Sequence, residues 1–109
     1  MPNVNEQVTK LLSAVIADGV GDAFSLPRGV ADHAFAATIA GTGAVSATVT
    51  VEGSVDGENW VPALATMSLT GTGSDIKGAA LSGAPYPHIR LRVASLTGTG
   101  ATVNAWMGI

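Results

Sequence analysis

At 109 residues the chain fits one domain with a modest core. Only 12% of its residues are charged, against an ordinary share of about 25%, so its polar surface falls largely to Thr, Ser and Gly and suits contact with other protein. The net charge of −3 with scattered cations argues against nucleic-acid binding, and the absence of cysteine excludes disulfides and thiolate metal sites.

The polar first stretch, residues 1–9, reads as an N-terminal arm preceding a single domain over residues 10–109. Its acidic residue and short apolar run do not make a secretory leader, so the expectation is a protein made in the cytoplasm. No run approaches the roughly 18 apolar residues of a membrane span. Residues 10–17 read as a strand. A helix over 6–16 competes there, because Val8, Leu11, Leu12, Val15 and Ile16 can share one helical face. Residues 23–26 and 33–39 are further strands with weaker patterning.

From residue 44 onward the pattern sharpens. Val45, Ala47, Val49 and Val51 alternate with Ser46, Thr48, Thr50 and Glu52, the period of a half-buried strand. Asp56-Gly57 is a favoured pair for a tight hairpin turn, which predicts that 44–54 pairs with 60–69. Residues 75–81 add a short strand. Ile89, Leu91 and Val93 then alternate with His88, Arg90 and Arg92, and Ala101, Val103, Ala105 and Met107 alternate with Thr102, Asn104 and Trp106. Gly-Thr-Gly occurs three times, at 41–43, 71–73 and 98–100, and reads as a reused turn. Turn signals at this spacing predict an all-β, antiparallel sandwich, jelly-roll-like, of about seven or eight short strands.

Nothing in the chain assembles into catalytic machinery. His33 and His88 are the two histidines, there is no Gly-x-Ser-x-Gly elbow, and most carboxylates fall in turns. The acidic turns Asp18-Gly19/Asp22 and Asp56/Glu58/Asn59 fit turn chemistry better than calcium ligation. The Gly-Thr-Gly motifs lead into strands rather than helices, so they are not phosphate loops. No cofactor and no metal are expected. Trp106 falls on the Thr102/Asn104 side of its strand, a position for an interface anchor, a rim residue or a sugar-stacking platform. Trp60 closes the hairpin turn. If 1–9 is an arm, Val4, Val8, Leu11 and Leu12 are expected to bury against a neighbouring subunit or a larger assembly that the chain binds.

The run Val49-Thr-Val-Glu-Gly-Ser-Val-Asp-Gly-Glu-Asn-Trp60 resembles a hairpin found in many small virion proteins of tailed bacteriophages. The run Tyr86-Pro-His-Ile-Arg-Leu-Arg-Val93, with the Gly-Thr-Gly-Ala turn and final Thr/Val strand after it, is similar to the closing half of the same proteins. The likeness covers residues 39–109. It implies a capsid decoration (cement) protein: cysteine-free, a homo-oligomer and commonly a trimer, bound to the outer surface of the major capsid protein lattice, with no nucleic-acid or membrane partner. The alternatives are a phage tail or baseplate component, or a small carbohydrate-binding β-sandwich module with Trp106 or Tyr86 as its stacking platform. Discoidin-like carbohydrate-binding domains carry a similar hairpin but are longer, and their ligand loops have no counterpart here. On this reading the candidate interface residues are Val4, Val8, Leu11, Leu12, Tyr86 and Trp106.

Overall fold

The computed structural model describes residues 8–26, 32–83 and 85–108. Among these the chain is all-β, with no helix and one antiparallel sheet of six strands. These are β1 (Val8–Val15), β2 (Gly19–Val20), β3 (Phe24–Ser25), β4 (His33–Ser54), β5 (Val61–Leu81) and β6 (His88–Gly108). Three of them are 21 or 22 residues long. The order is β1-β6-β4-β5, with β2 and β3 also on β6, so β1, β2 and β3 make one interrupted edge along it.

The antiparallel all-β expectation stands, but its division into seven or eight short strands does not. Segments separated in the sequence reading by Gly-Thr-Gly, such as 33–39 and 44–54, are single continuous strands. The motifs are bends inside the strands. A straight strand of 21 residues at about 3.3 Å per residue would span roughly 70 Å, whereas the longest dimension is 42 Å. The register of β4 with β6 runs regularly from Ala34↔Gly108 to Ala40↔Thr102 and again from Val49↔Val93 to Ser54↔His88, and slips between them, around Thr42↔Thr99. The last glycine of each motif has a left-handed φ: 70° at Gly43, 82° at Gly73 and 62° at Gly100. A side chain there is strained, which is why glycine recurs where the three long strands bend together.

The bend divides the sheet into a terminal half, where β1 and both described chain ends lie, and a hairpin half, closed by the loop after Ser54. The two halves bury one shared face. Val49, Val51, Met67, Leu69, Ile89, Leu91 and Val93 from the hairpin half join Phe35, Ala37, Ile39, Val103, Ala105 and Met107 from the terminal half in a single cluster. At their meeting point Gly21 N–H donates to Leu91 O (2.8 Å), and a Cβ on Gly21 would lie 2.7 Å from Leu11 O. The inward sets expected from alternation in 45–51, 89–93 and 101–107 are all buried.

The expected strand over 10–17 is β1, which runs from Val8 and stops at Val15 with no helix, and its bulges allow Leu11 and Leu12 both to turn inward. At the second bulge Ala14 takes φ 48° and its N–H donates to Asn104 Oδ1 (2.9 Å). Val8 and Thr9, assigned to the arm, are paired with Gly108 and Met107. Residues 1–7, with Val4, lie outside the described residues. The pairing of 44–54 with the strand after it is as expected, with Ala47↔Leu69 and Gly53↔Val61. Its turn differs. Gly57 has φ 80° but Asp56 is not left-handed, so the two-residue turn is replaced by a loop over 55–60.

Candidate functional surface

With the inner face consumed by the core, function falls to the outer face, the edges and the loops. On the hairpin half the outer side chains stand in cross-strand rows: Thr66–Thr50–Arg92, Ser68–Thr48–Ser95 and Thr70–Ser46–Thr97. The Ser46 and Thr97 hydroxyls are 2.7 Å apart, closing one row with a hydrogen bond. At the end of this face the rows become charged. Glu52 lies opposite Arg90, and its carboxylate is 3% exposed as a residue. Arg90 Nε donates to Glu52 Oε1 (2.6 Å), and Arg92 Nη1 lies 3.9 Å from Oε2. Trp60 covers the cluster, its ring 4.2 Å from the Arg90 guanidinium, so that one cation serves both a carboxylate and an aromatic face. This cluster is the main feature that sequence reasoning missed. Alternation put Glu52, Arg90 and Arg92 on the outer side, but only the register β4↔β6 makes them neighbours.

The loop that follows is rigid by its own hydrogen bonds. Asp56 Oδ1 accepts from the Ser54 hydroxyl and from the N–H groups of Glu58 and Asn59, each at 2.8–2.9 Å, and Oδ2 accepts from Asn59 Nδ2 (2.7 Å). These donors, the Asn59 and Glu58 N–H groups above all, hold the Asp56 carboxyl well below the usual carboxylate range. Its oxygens are therefore occupied by the turn. Among the described residues no group of three or more His, Asp or Glu is placed to hold a metal ion.

Beside this loop an open groove of about 490 Å³ is lined by Val55, Leu64, Gly83, Pro85 and Tyr86. Tyr86 is half-buried beside Gly53, where an added Cβ would meet its ring at 2.7 Å. Among the described residues the groove lining is mostly apolar.

The terminal half presents a different outer face. Cross-strand rows there read Gly108–Ala34–Ala80, Trp106–Ala36–Gly78, Asn104–Thr38–Ile76 and Thr102–Ala40–Ser74. Lys10, paired with Trp106, sits with its ammonium 5.5 Å from the indole. Ile76 is 63% exposed. At the open end of this half, on the inner side, His33 is buried and stacked on Phe35 (centroids 6.1 Å apart, 24° between planes). Among the described residues neither of its ring nitrogens has a hydrogen-bond partner, and burial lowers its pKa, opposed by the Asp32 carboxylate.

The sequence-predicted interface residues are thus dispersed. Val8 is exposed at the β1 edge, while Leu11 and Leu12 point into the chain's own core rather than outward. Tyr86 lines the groove, and Trp106 stands on the outer face of the terminal half. His88 Nδ1 shares a 3.2 Å hydrogen bond with the Ser25 hydroxyl.

No protein-family model and no curated protein matches the chain. Among solved structures it is similar to the SPBc2 prophage-derived protein YomS, with a TM-score of 0.53 at 15% sequence identity, over 100% of this chain and 99% of that one. The likeness runs end to end and defines a shared all-β fold.

Proposed function

We propose that this chain is a non-enzymatic structural protein of a tailed-phage particle, bound as a homo-oligomer to the outer surface of the capsid lattice. The observation that carries the reading is the full-length fold likeness to a prophage-derived protein. The virion-protein hairpin resemblance and a surface poor in charge support it. In this reading the two halves of the bent sheet serve as the faces of a small sandwich. The rigid Asp56 loop and the flat outer faces lower the entropy lost on docking, and a repeating lattice converts weak single contacts into firm attachment.

A tail or baseplate component draws on the same support and is the second reading. Among its described residues the groove beside Tyr86 offers one aromatic face in a mostly apolar lining, which gives a carbohydrate-binding module less support. The test is to localise the chain in purified particles of the phage that encodes it, by mass spectrometry and immunogold labelling. Label over the head is expected. Label on the tail selects the second reading, and particles without the chain overturn both.

A further inference from the structure

The outer face of the terminal half is built as one side of an interface. Its four rows hold Ala34, Ala36, Ala40, Gly78 and Ala80 as a low floor, with Trp106 and Ile76 rising from the strands on either side of β4. The twelve residues of these rows are uncharged, and Lys10, beside them on β1, is drawn onto the Trp106 ring. We propose that this face docks against the same face of a second copy, about a two-fold axis parallel to β4.

The register dictates that choice of axis. Ala36 pairs with Trp106 on one side and with Gly78 on the other, so the three share one row. A two-fold along β4 exchanges the flanks without shifting the rows. It sets Trp106 of each copy over Gly78 of the other, a large side chain over a position with none. Gly78 is exposed, and an added Cβ there would meet one neighbour, Phe35 O, closely at 3.3 Å. In the same operation Ala34 and Ala40 meet their own counterparts on the axis, where small side chains let two sheets approach. Strands stay nearly aligned, the ordinary geometry of sheet-on-sheet packing.

Charge and area agree with a second copy as the occupant. Glu52, Asp56 and Glu58 lie on the hairpin half, Asp75 stands opposite the inward Ile39 and within 3.9 Å of Lys77, and Asp32, at the open end of the docking face, accepts from Gly83 N–H at 3.2 Å. Four strands at about 4.8 Å spacing and eight residues at about 3.3 Å give roughly 500 Å² per copy. The pair buries on the order of 1,000 Å², the threshold of a specific interface, so a weak, reversible dimer is expected. It is a dimer, not the trimer that the family resemblance implies. The inference rests on the assembly part of the virion reading and not on the lattice part: failed attachment to capsids leaves the dimer standing, and a missing dimer leaves attachment to be judged by itself.

Sedimentation equilibrium of the full chain from about 1 to 300 µM tests it, with Ala34→Lys, which sets two ammonium groups face to face on the axis, and Thr66→Lys on the hairpin half as control. Both positions are exposed, and circular dichroism checks that each variant folds. The expected result is a reversible dimer whose dissociation constant rises at least about 10-fold in Ala34→Lys and is unmoved in Thr66→Lys. Because the chain has no cysteine, Ala34→Cys treated with a short bis-maleimide should also cross-link as a dimer. A wild type that stays monomeric throughout, a trimer, or a dimer that Ala34→Lys leaves intact would each overturn the proposal.

Discussion

The two halves of the bent sheet share one core but are built to different rules. The hairpin half packs large side chains inside (Val49, Met67, Leu69, Ile89, Leu91) and hydroxyls, carboxylate and guanidinium groups outside. The terminal half has alanines at three of its inner positions (Ala37, Ala101, Ala105) and is nearly uncharged outside. The difference shows that one alternation pattern yields two surfaces of opposite character. A row of Thr and Arg is satisfied by water, whereas a row of Ala, Gly and Trp gains by being covered.

The largest test of this contrast is in the core. Leu91→Ala should cost about 3–4 kcal/mol in denaturant unfolding, because the removed side chain is fully buried between packed neighbours and the cavity cannot collapse. Ala105→Leu, facing the same core from the terminal half, should cost about 1–3 kcal/mol for the opposite reason, overpacking. If the two are equal and small, the halves do not share a close-packed interior.

Next comes the charged cluster. Glu52→Ala strands Arg90 beside Trp60 and should cost about 3 kcal/mol, since a nearly buried partner is lost at 2.6 Å. Arg92→Ala removes an exposed group at 3.9 Å and should stay within about 1 kcal/mol. A cost for Arg92→Ala as large as that for Glu52→Ala would show that the cluster acts as one network.

The bend itself separates two causes of glycine. Gly100→Ala meets open space and carries only the left-handed strain of φ 62°, about 1–2 kcal/mol. Gly98→Ala adds a contact of 2.8 Å to Val45 Cγ1 and should cost more in the same unfolding assay.

The smallest effects are in pH. The folded pKa of His33 is lowered from 6.5 by burial, so the unfolded chain takes the proton first. The stability His33 contributes is present above pH 6.5 and is lost as pH falls below it. The Asp56 carboxyl is also lowered, and its contribution is lost only in stronger acid, below the usual carboxylate range. His33→Phe should therefore flatten the pH dependence of thermal unfolding just below neutrality and leave the acid limb. Asp56→Ala should do the reverse.

Much of this was legible in the chain before folding. The alternation Val45/Ala47/Val49/Val51 and its counterparts at 89–93 and 101–107 named the buried face correctly. The hairpin partner of 44–54 followed from the turn signal. The turn itself did not, because the Asp56 side chain gains more by accepting several local donors than its backbone does by entering the left-handed region. The inward turn of both Leu11 and Leu12 was not legible, because two adjacent leucines do not fit strand alternation. A bulge beside Lys10 lets both turn inward, and bulges have no sharp sequence signal.

By itself, then, the sequence determined the class and the faces: period-two alternation is a local consequence of strand geometry and needs no partner to be read. Whether Gly-Thr-Gly ends a strand or bends it was decided only in the tertiary structure. A glycine permits either course, and the outcome depends on whether neighbouring strands bend at the same level and carry the ladder through. The same holds for Glu52 with Arg90 and for Trp106 level with Gly78. Such neighbours come from register between segments far apart in the chain, which cross-strand packing sets and no local pattern encodes.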